Sequence, residues 1–333
     1  NRLSVNSTLP ISTRTRIKPL LLVEGSDYKW FSGFGRAFVL KCLDNGLIVF
    51  AGCRTVEGVK SLTEECNGRG GNLHAFELDV TSDESVQNAK NYVEEQLQRA
   101  DKSLHAIVNN AGVQCQCFFD DMLSIEDYRD AMEVNAYGVI RVTKAFKQMI
   151  KRNKGRIIVC TSSSVRFPSP GLGPYTFSKA AVNGYLQVIR HELRPFGVTV
   201  ITIEPGIFRT PMNDIPKMMR MMNDIWAKTD RALKKEYGEY WFSRGKRIYI
   251  KLREGAPEDL TAVGDAYLHA VLAKYPYRNY SVGLDACLLY VEFDPYSIPA
   301  IFMVTDQATR NCDANTSVDD RRSNSGYSRS LTF

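Results

Sequence analysis

The stretch VEGSDYKWFSGFGRAF, Val23 to Phe38, combines an apolar strand end, a loop with small residues and the start of a helical pattern. In open α/β folds, a strand that enters a helix through a glycine-rich turn can hold phosphate groups at the helix N-terminus. Seven residues separate Gly25 from Gly33 here, and such turns are usually shorter. The stretch predicts an α/β fold and raises the question of whether its loop can hold a pyrophosphate.

Short apolar runs alternate with helical patterns over the middle of the chain. The strand candidates are PLLLV, LIVFAG, HAFELDV, HAIVNNAG, GRIIVCTSS and VTVITIEPG, and helices are predicted at 33–45, 56–67, 83–100, 125–150 and 175–194. Repeated strand-then-helix units favour a Rossmann-type, doubly wound parallel sheet with helices on both faces.

The composition along the chain predicts a single domain with polar ends. Residues 1–18 and 305–333 contain few large apolar side chains and are predicted to be disordered, which leaves a domain at 19–304. Residues 211–255 form a helical, methionine-rich excursion after the sixth strand, so they overhang the strand ends where such sheets bind ligands. The methionines within 218–222 are either ordinary core or a pliable wall for an apolar substrate.

Charge and hydropathy exclude several function classes. The net charge of +6 is spread along the chain, no nucleic-acid motif accompanies it, and the longest apolar runs, PLLLV and IPAIFMV, fall far short of the roughly 18 residues of a spanning helix. We therefore expect neither a nucleic-acid partner nor a transmembrane helix. The basic run Arg244–Arg253 is either a solvated surface or a face toward anionic lipid.

Cysteine and histidine usage indicates neither bridges nor a metal. Eight scattered cysteines are better interpreted as reduced thiols, which fits a cytosolic or cytosol-facing protein. The four histidines lack metal-ligand spacing, and we expect no metal site.

The strongest chemical pattern is TSSSVRFPSPGLGPYTFSKAAV. Tyr175 and Lys179 are four residues apart, so they share one helix face with Cβ atoms about 5–6 Å apart. A neighbouring ammonium favours the ionised form of a phenol, as acid–base catalysis requires. A Ser/Thr cluster, 161–163, ends a strand 12 to 14 residues before the tyrosine.

Three further segments follow predicted strands. VNNAG, 108–112, supplies small residues where the backbone must approach a flat group, and its alternative is a tight turn. IEPGIFRT, 203–210, ends the sixth strand in the same way, and Asp79 closes the third strand, where a carboxylate can accept a hydrogen bond from an adenine amine.

In this order the segments resemble the short-chain dehydrogenase/reductase family and, within it, the membrane-associated retinol and hydroxysteroid dehydrogenases. The likeness covers roughly Pro19 to Val304. It is carried by SGFG, LDVT, VNNAG, VNAYGVIRVT, YTFSK, EPGIFRT, EYGEYWF and YSVGLDACLLYVEFDPYSIPA.

The resemblance implies a role for each catalytic candidate. Tyr175 is the acid–base, and Lys179 tunes it and holds the nicotinamide ribose. Ser162 polarises the substrate oxygen, with Ser163 as the alternative, and Asn135 holds a water in the proton relay. The serine segment is one residue longer than is typical of the subfamily.

The resemblance also implies a set of cofactor contacts. They come from Tyr175 and Lys179 and from Gly25, Ser32, Gly33, Phe34, Gly35, Arg54, Asp79, Asn109, Ala111, Gly112, Pro205, Gly206 and Thr210. The glycine loop matches the family pattern if Tyr28–Phe31 is an insert, and Glu24 replaces the usual threonine. Either the insert bulges outward and the loop still holds phosphates, or the site is impaired, or the insert is an error of gene prediction.

Cofactor choice depends on the end of the second strand. Cys53 stands where many NAD-specific relatives have an acid, and Arg54 could neutralise the 2′-phosphate of NADP. Many members of the resembled subfamily use NAD. The cofactor is therefore NAD or NADP, with a slight preference for NAD.

The predicted function is an NAD(P)-dependent oxidoreductase that interconverts a hydroxyl and a carbonyl on an apolar retinoid or hydroxysteroid. The alternative is an impaired family member that binds lipid or a partner, because the glycine loop is altered. An epimerase of the extended branch is disfavoured by the C-terminal part. The resemblance implies a cytosol-facing protein associated with the endoplasmic reticulum membrane, and it leaves peripheral membrane contact and a homo-oligomer open.

Overall fold

The strand before the glycine loop, β1 at Leu20–Glu24, lies in the middle of a parallel sheet. The computed structural model describes residues 33–283, 285 and 286, and the backbone of β1. The predicted terminal segments 1–18 and 305–333, and residues 25–32 with the insert, lie outside the described residues.

Within the described residues the sheet has seven strands in the order β3-β2-β1-β4-β5-β6-β7, and each neighbouring pair is parallel. The strands after β1 are β2 Ile48–Cys53, β3 Asn72–Glu77, β4 Leu104–Asn109, β5 Arg156–Cys160, β6 Thr199–Pro205 and β7 Asn279–Val282. The strand order reverses between β1 and β4, and at such a switch point the loops diverge and leave a ligand crevice. The predicted doubly wound parallel sheet is confirmed.

Helices cover both faces of this sheet. They are α1 Phe34–Asp44, α2 Val56–Glu65, α3 Asp83–Arg99, α4 Ile125–Met132, α5 Val139–Arg152, α6 Gly173–Leu193, α7 Ile215–Lys228, α8 Arg231–Glu254 and α9 Thr261–Leu272. The strand β7 and the helix α9 were not among the elements that the sequence pattern predicted.

Two apolar cores hold the helices against the sheet. One core contains residues of α3, α5 and α6, and the other contains residues of α1, α2 and α9. On α5 the buried Val139, Val142, Phe146 and Ile150 recur at helical spacing. Each such side chain contributes about 1.5–3 kcal/mol by leaving water, which fixes the helix face and with it the direction of the loops.

The segment after β6 forms its own apolar cluster beside the sheet. Met218 and Met222 on α7 are buried with Phe118 and with Phe242 of α8. The helix α8 contains a kink at Gly238, whose φ of 71° lies in the left-handed region that glycine tolerates. The two fully buried methionines are core residues, whereas Met219 and Met221 are only partly buried against the cluster.

The described part of the chain contains no helix that is both long and apolar enough to span a bilayer. Over the same residues, no three His, Cys, Asp or Glu side chains are grouped so that they could hold a metal ion. The described cysteines are free thiols, and burial raises the pKa of Cys42 and Cys160.

Candidate active site

The carboxyl ends of β4, β5 and β6 bring most of the predicted site residues to one edge of the sheet. Tyr175 and Lys179 lie in the first turns of α6, whose start is fixed by Pro174 in a position that suits a residue without an N–H. The Lys179 Nζ lies 5.9 Å from the centroid of the Tyr175 ring. The pair therefore shares a helix face, as the spacing predicted.

Lys179 is 3% exposed, so its ammonium needs partners inside the protein. Its Nζ donates a hydrogen bond of 3.0 Å to the carbonyl oxygen of Cys160 at the end of β5. The Tyr175 ring is half-buried. A partly accessible phenol with a fixed cation beside it can take a proton from a bound molecule and return it.

Asn135 lies in a π-helical segment, Glu133–Gly138, that interrupts the helical run between α4 and α5. Such bulges often occur at functional sites. The buried Asn135 side chain accepts from the N–H of Val113 at 2.8 Å, and it donates to the Val113 carbonyl at 2.9 Å and to Ser178 Oγ at 3.0 Å. It thus joins the loop after β4 to α6.

Gly112 fits between these side chains because it has no Cβ. A Cβ at this position would lie 3.2 Å from Lys179 Nζ and 3.3 Å from Asn135 Oδ1. The final glycine of VNNAG is therefore required because two side chains approach its backbone closely, and a tight turn alone does not account for it.

Ser162 follows β5 and begins a short 3-10 helix, Ser163–Val165. Its Oγ accepts from the N–H of Ser164 at 3.1 Å, which leaves its own O–H free to act as a donor. Ser162 is buried, and Ser163 is partly exposed.

The described glycine-loop residues meet the loop after β6. Gly33 has a φ of 79° and caps α1 without a side chain, and the first turn of α1 contains no acid. A Cβ on Gly33 would lie 3.6 Å from the Thr210 Cγ2, and the rings of Phe34 and Phe208 pack edge to face at 5.5 Å. Gly35 is buried. The uncapped first-turn amides of α1 are suited to an anion such as a pyrophosphate.

Gly25 and Ser32 lie outside the described residues, and only the backbone of Glu24 is described. The structure therefore brings Gly33, Phe34, Gly35 and Thr210 together, and the alignment of Gly25 with the family pattern remains a prediction.

Pro205 ends β6, and Gly206 follows it in a crowded position. A Cβ on Gly206 would overlap the Asp285 carboxylate, and the N–H of Ile207 donates to Asp285 Oδ2 at 2.7 Å. The Gly206 N–H donates to the Val282 carbonyl of β7 at 2.8 Å. The segment after β7 thus holds the Pro-Gly loop.

Arg54 and Asp79 lie together beyond the ends of β2 and β3. The Arg54 Nε is 3.8 Å from Asp79 Oδ2. Burial raises the pKa of Asp79, but the hydrogen bonds from Thr81 and the charges of Arg54 and Arg141 outweigh it and lower this pKa overall. The strand β3 ends at Glu77, so Asp79 lies two residues past it instead of closing it.

Asn109 and Ala111 are buried at the end of β4. The Asn109 amide donates to Thr143 Oγ1 at 3.3 Å, while its Oδ1 has no hydrogen-bond partner among the described residues. Asn110 accepts from the Tyr267 hydroxyl at 3.0 Å. The two amides therefore hydrogen-bond the end of β4 to α5 and α9, which lie on opposite faces of the sheet.

Some residues that support the site were not predicted from the sequence. Glu204 at the end of β6 and Arg166 in the loop after β5 form an ion pair, and Asp285 holds the Pro-Gly loop. One signal was available, because Glu204 is a charged residue at the end of an otherwise apolar run. Its partner is 38 residues away in sequence, and no local pattern connects the two.

Comparisons with known proteins agree with this geometry. The sequence profile of the family described as short chain dehydrogenase matches residues 30–219. The 3beta-hydroxysteroid dehydrogenase dhs-16 of Caenorhabditis elegans is 35% identical over 276 residues, covering 81% of this chain and 70% of the relative. Retinol dehydrogenase 16 of Homo sapiens is 33% identical over 273 residues, covering 82% of this chain and 83% of the relative.

Solved structures share the fold. A short-chain dehydrogenase from Streptomyces avermitilis superposes with a TM-score of 0.64 at 23% identity, covering 89% of this chain and 99% of that one. A Burkholderia phymatum enzyme in complex with NAD gives 0.63 at 19% identity, covering 92% and 98%. A Burkholderia cenocepacia enzyme in complex with NADP gives 0.58 at 21% identity, covering 90% and 99%.

The profile match, the identities to these two relatives and the parallel sheet agree, and the chain therefore belongs to the short-chain dehydrogenase family, in the group of retinol and hydroxysteroid dehydrogenases.

Proposed function

We propose that the protein is an NAD(P)-dependent alcohol dehydrogenase that oxidises, or in reverse forms, a hydroxyl group on a large apolar substrate. The observation that carries this proposal is the arrangement at the carboxyl edge of the sheet. Tyr175 lies beside a buried Lys179, and Gly112, which has no Cβ, leaves space beside both that ammonium and the Asn135 amide. The curated relatives are named for retinol and hydroxysteroids, which supports an alcohol of this class.

The residues divide the proton chemistry among them. A nicotinamide cofactor, held by the start of α1 and by Lys179, would supply the acceptor for the hydride of the carbinol carbon. The Tyr175 phenolate takes the hydroxyl proton, and Lys179 stabilises the phenolate by its charge. In its contact with the Ser164 N–H, the Ser162 Oγ acts only as an acceptor. The Ser162 O–H can therefore donate to the substrate oxygen as negative charge develops on that oxygen.

The described residues fit a dinucleotide. The amides at the start of α1 can receive a pyrophosphate, Gly33 and Thr210 leave a narrow gap beside it, and Gly112 keeps space free next to Lys179. An impaired, lipid-binding member is the second candidate, motivated by Glu24 and the insert at Tyr28–Phe31.

We favour NAD over NADP for a physical reason. The Arg54 guanidinium already faces the Asp79 carboxylate, whose pKa is lowered in part by that charge. A 2′-phosphate would have to compete with Asp79 for Arg54 and would meet a carboxylate at close range.

Titration with NADH and NADPH, followed by the fluorescence of the reduced nicotinamide, tests both points. The proposal predicts binding of both, with NADH tighter, and loss of the residual NADPH affinity in Arg54→Gln. Failure of the folded protein to bind either cofactor would leave the lipid-binding alternative.

The substrate class is supported by the apolar cluster of α7 and α8. Met219, Met221 and Trp226 are only partly buried against this cluster, and Trp226 stacks on Phe242 with centroids 4.6 Å apart. An apolar substrate gains about 25 cal/mol per Å² buried against such side chains, which a short polar alcohol cannot match. Steroid or retinoid alcohols at micromolar concentration should be oxidised in preference to small polar alcohols, and the opposite preference would refute the substrate class.

The outward face of α8 supports peripheral contact with an anionic membrane. Tyr240, Trp241 and Leu252 are at least half exposed, and the Arg244 guanidinium bonds the Tyr240 hydroxyl and lies 5.9 Å from the Trp241 ring. Aromatic and aliphatic side chains beside arginines are typical of interfacial helices.

Vesicles with and without phosphatidylserine test this contact. The double variant Trp241→Glu/Leu252→Glu should bind anionic vesicles more weakly than the parent. Tyr275→Glu is the control, because Tyr275 is exposed but lies beyond the end of α9. Unchanged vesicle binding by the double variant would exclude this face.

A homo-oligomer is supported by the outer face of α6. Phe177 and Val188 are more than half exposed there, and a Cβ added at Gly184 would meet nothing within 4 Å. Light scattering should give a mass above 37.6 kDa, and a monomer at micromolar concentration would refute it.

A further inference from the structure

The loop after β5 is joined to the end of β6 by an ion pair between two residues that have no part in the chemistry described above. Arg166 follows the 3-10 helix that begins at Ser162, and Glu204 is the residue before Pro205–Gly206. The Arg166 Nε donates to Glu204 Oε2 at 2.8 Å, and its Nη2 donates to Glu204 Oε1 at 3.2 Å.

The pair differs from an ordinary surface salt bridge. The Glu204 side chain is 6% exposed, while that of Arg166 is 36% exposed and reaches it from outside. Ser281 of β7 lies 3.5 Å from the same carboxylate. A guanidinium that bonds both oxygens of a carboxylate is fixed in orientation as well as distance, and a buried carboxylate that loses its partner is strongly disfavoured.

The pair stands where the backbone no longer holds the two strands together. The ladder between β5 and β6 runs from Arg156 paired with Thr199 to Cys160 paired with Ile203. Thr161 adds one further bond to Ile203, from its N–H at 2.8 Å. Beyond that point the chain after β5 is a loop, whereas Glu204 and Pro205 of β6 are paired, among the described strands, only with β7. The Arg166–Glu204 pair joins that loop to the end of β6.

The link from Arg166 back to the serine is short and regular. Within the 3-10 helix the Val165 N–H donates to the Ser162 carbonyl at 3.2 Å, and the Arg166 N–H donates to the Ser163 carbonyl at 3.0 Å. The backbone of Arg166 is therefore tied to that of Ser162 through one hydrogen-bonded turn. On the other side, Glu204 directly precedes Pro205, the last residue of β6, after which the chain continues to Thr210.

We propose that the Arg166–Glu204 pair is a positioning clamp that sets the distance between the Ser162 hydroxyl and the loop Pro205–Thr210. It rests on the proposed function, in which Ser162 polarises the substrate oxygen and that loop supplies the cofactor contacts Pro205, Gly206 and Thr210. The clamp then aligns the carbinol carbon with the hydride acceptor, and its loss misaligns them without removing either binding site.

The variants Glu204→Gln, Arg166→Gln and their combination test the clamp, with Arg156→Gln as the matched control. Arg156 lies at the opposite end of β5, where its Nη1 donates to the carbonyls of Ala270 and Val271 at 2.5 and 2.6 Å. Steady-state kinetics should use an alcohol with and without deuterium at the carbinol carbon. Cofactor affinity, the Tm and amide hydrogen exchange complete the measurement.

Each clamp variant should lower kcat by about 10- to 100-fold, because a misplacement of about 1 Å can cost that much. The deuterium isotope effect on kcat should rise, since hydride transfer becomes slower than the other steps, whereas the KM and the cofactor affinity should change little. The double variant should be no worse than the worse single variant. Arg166→Lys keeps the positive charge but cannot bond both carboxylate oxygens as a guanidinium does. Its kcat should therefore lie between those of Arg166→Gln and the parent protein.

A purely structural role makes different predictions. Arg156→Gln should lower the Tm and leave kcat and the isotope effect unchanged. If Glu204→Gln keeps the parental kcat and isotope effect, or if Arg156→Gln reduces kcat equally, the clamp is wrong.

Hydrogen exchange separates the clamp from the proposed function. Glu204→Gln should speed exchange at 162–166 and 205–210 but not along β4. If the parent protein oxidises no alcohol and exchange still rises in these two segments, the function fails and the clamp stands. If exchange does not rise, the clamp fails.

Discussion

The Lys179 ammonium is confined by groups that come from three separate parts of the chain. The carbonyl of Cys160 accepts its hydrogen bond, and the Cα of Gly112 leaves just enough space beside it and Asn135. The residue types at Tyr175 and Lys179 could be predicted from their spacing, because four residues place two side chains on one helix face. The contact to Gly112 could not be predicted, since it depends on how β4 and α6 pack.

Gly112→Ala tests how closely this site is packed. The new methyl group would lie 3.2 Å from Lys179 Nζ and 3.3 Å from Asn135 Oδ1, so both must move by a few tenths of an ångström. We expect kcat to fall by about tenfold, because small misplacements of catalytic groups are costly. Gly70→Ala is the control, since Gly70 is exposed and its methyl group would lie 3.8 Å from the Leu43 carbonyl oxygen, an ordinary van der Waals distance. Equal kcat values for both variants would show that the site accommodates a methyl group beside Lys179 without displacing it.

At the scale of elements, the periodic segments were predictable and the short ones were not. The predicted helix at 83–100 is α3 at Asp83–Arg99, and the Ser82 side chain caps it by accepting from the Ser85 N–H. The strand β7 has only four residues and a mixed pattern, so it carries no periodic signal, and its pairing with β6 depends on the packing of the completed sheet. The π-helical segment inside the predicted helix 125–150 is likewise a tertiary feature.

The spacing of the glycine loop can be tested by removing the insert. Deletion of Tyr28–Phe31 restores the family spacing between Gly25 and Gly33, so a protein whose insert bulges outward should keep its NADH affinity or bind more tightly. The dissociation constant from nicotinamide fluorescence, together with a Tm that shows intact folding, measures this. A folded deletion variant that no longer binds NADH would mean that the insert contributes to the site and that the alignment is wrong.

For the whole molecule, partly buried histidines couple the stability of the fold to pH. Burial lowers the pKa of His74, His105 and His269, and the charge of Arg156 adds to this at the last two, while a hydrogen bond to Val271 opposes it at His105. These imidazoles take up protons at lower pH when folded than when unfolded. Their contribution to stability is therefore complete above about pH 6.5, the ordinary histidine value, and is lost as the pH falls through their folded pKa values.

The free energy of unfolding should accordingly fall as the pH decreases from about 7.5 to 5.5. His105→Gln should make this decline shallower, because glutamine keeps an N–H for the Val271 carbonyl but does not titrate in this range. Chemical denaturation at the two pH values gives both free energies. An unchanged slope in the variant would show that His105 does not contribute to it.

The turnover of Tyr175→Phe tests the central claim most directly. The variant removes the phenol oxygen and keeps the ring beside Lys179, so we expect kcat to fall by about 10²–10⁴-fold with the NADH affinity nearly unchanged. Tyr185→Phe, farther along the same helix, should keep its activity. A folded Tyr175→Phe protein that oxidises the alcohol at a near-normal rate would contradict the assignment of Tyr175 as the acid–base.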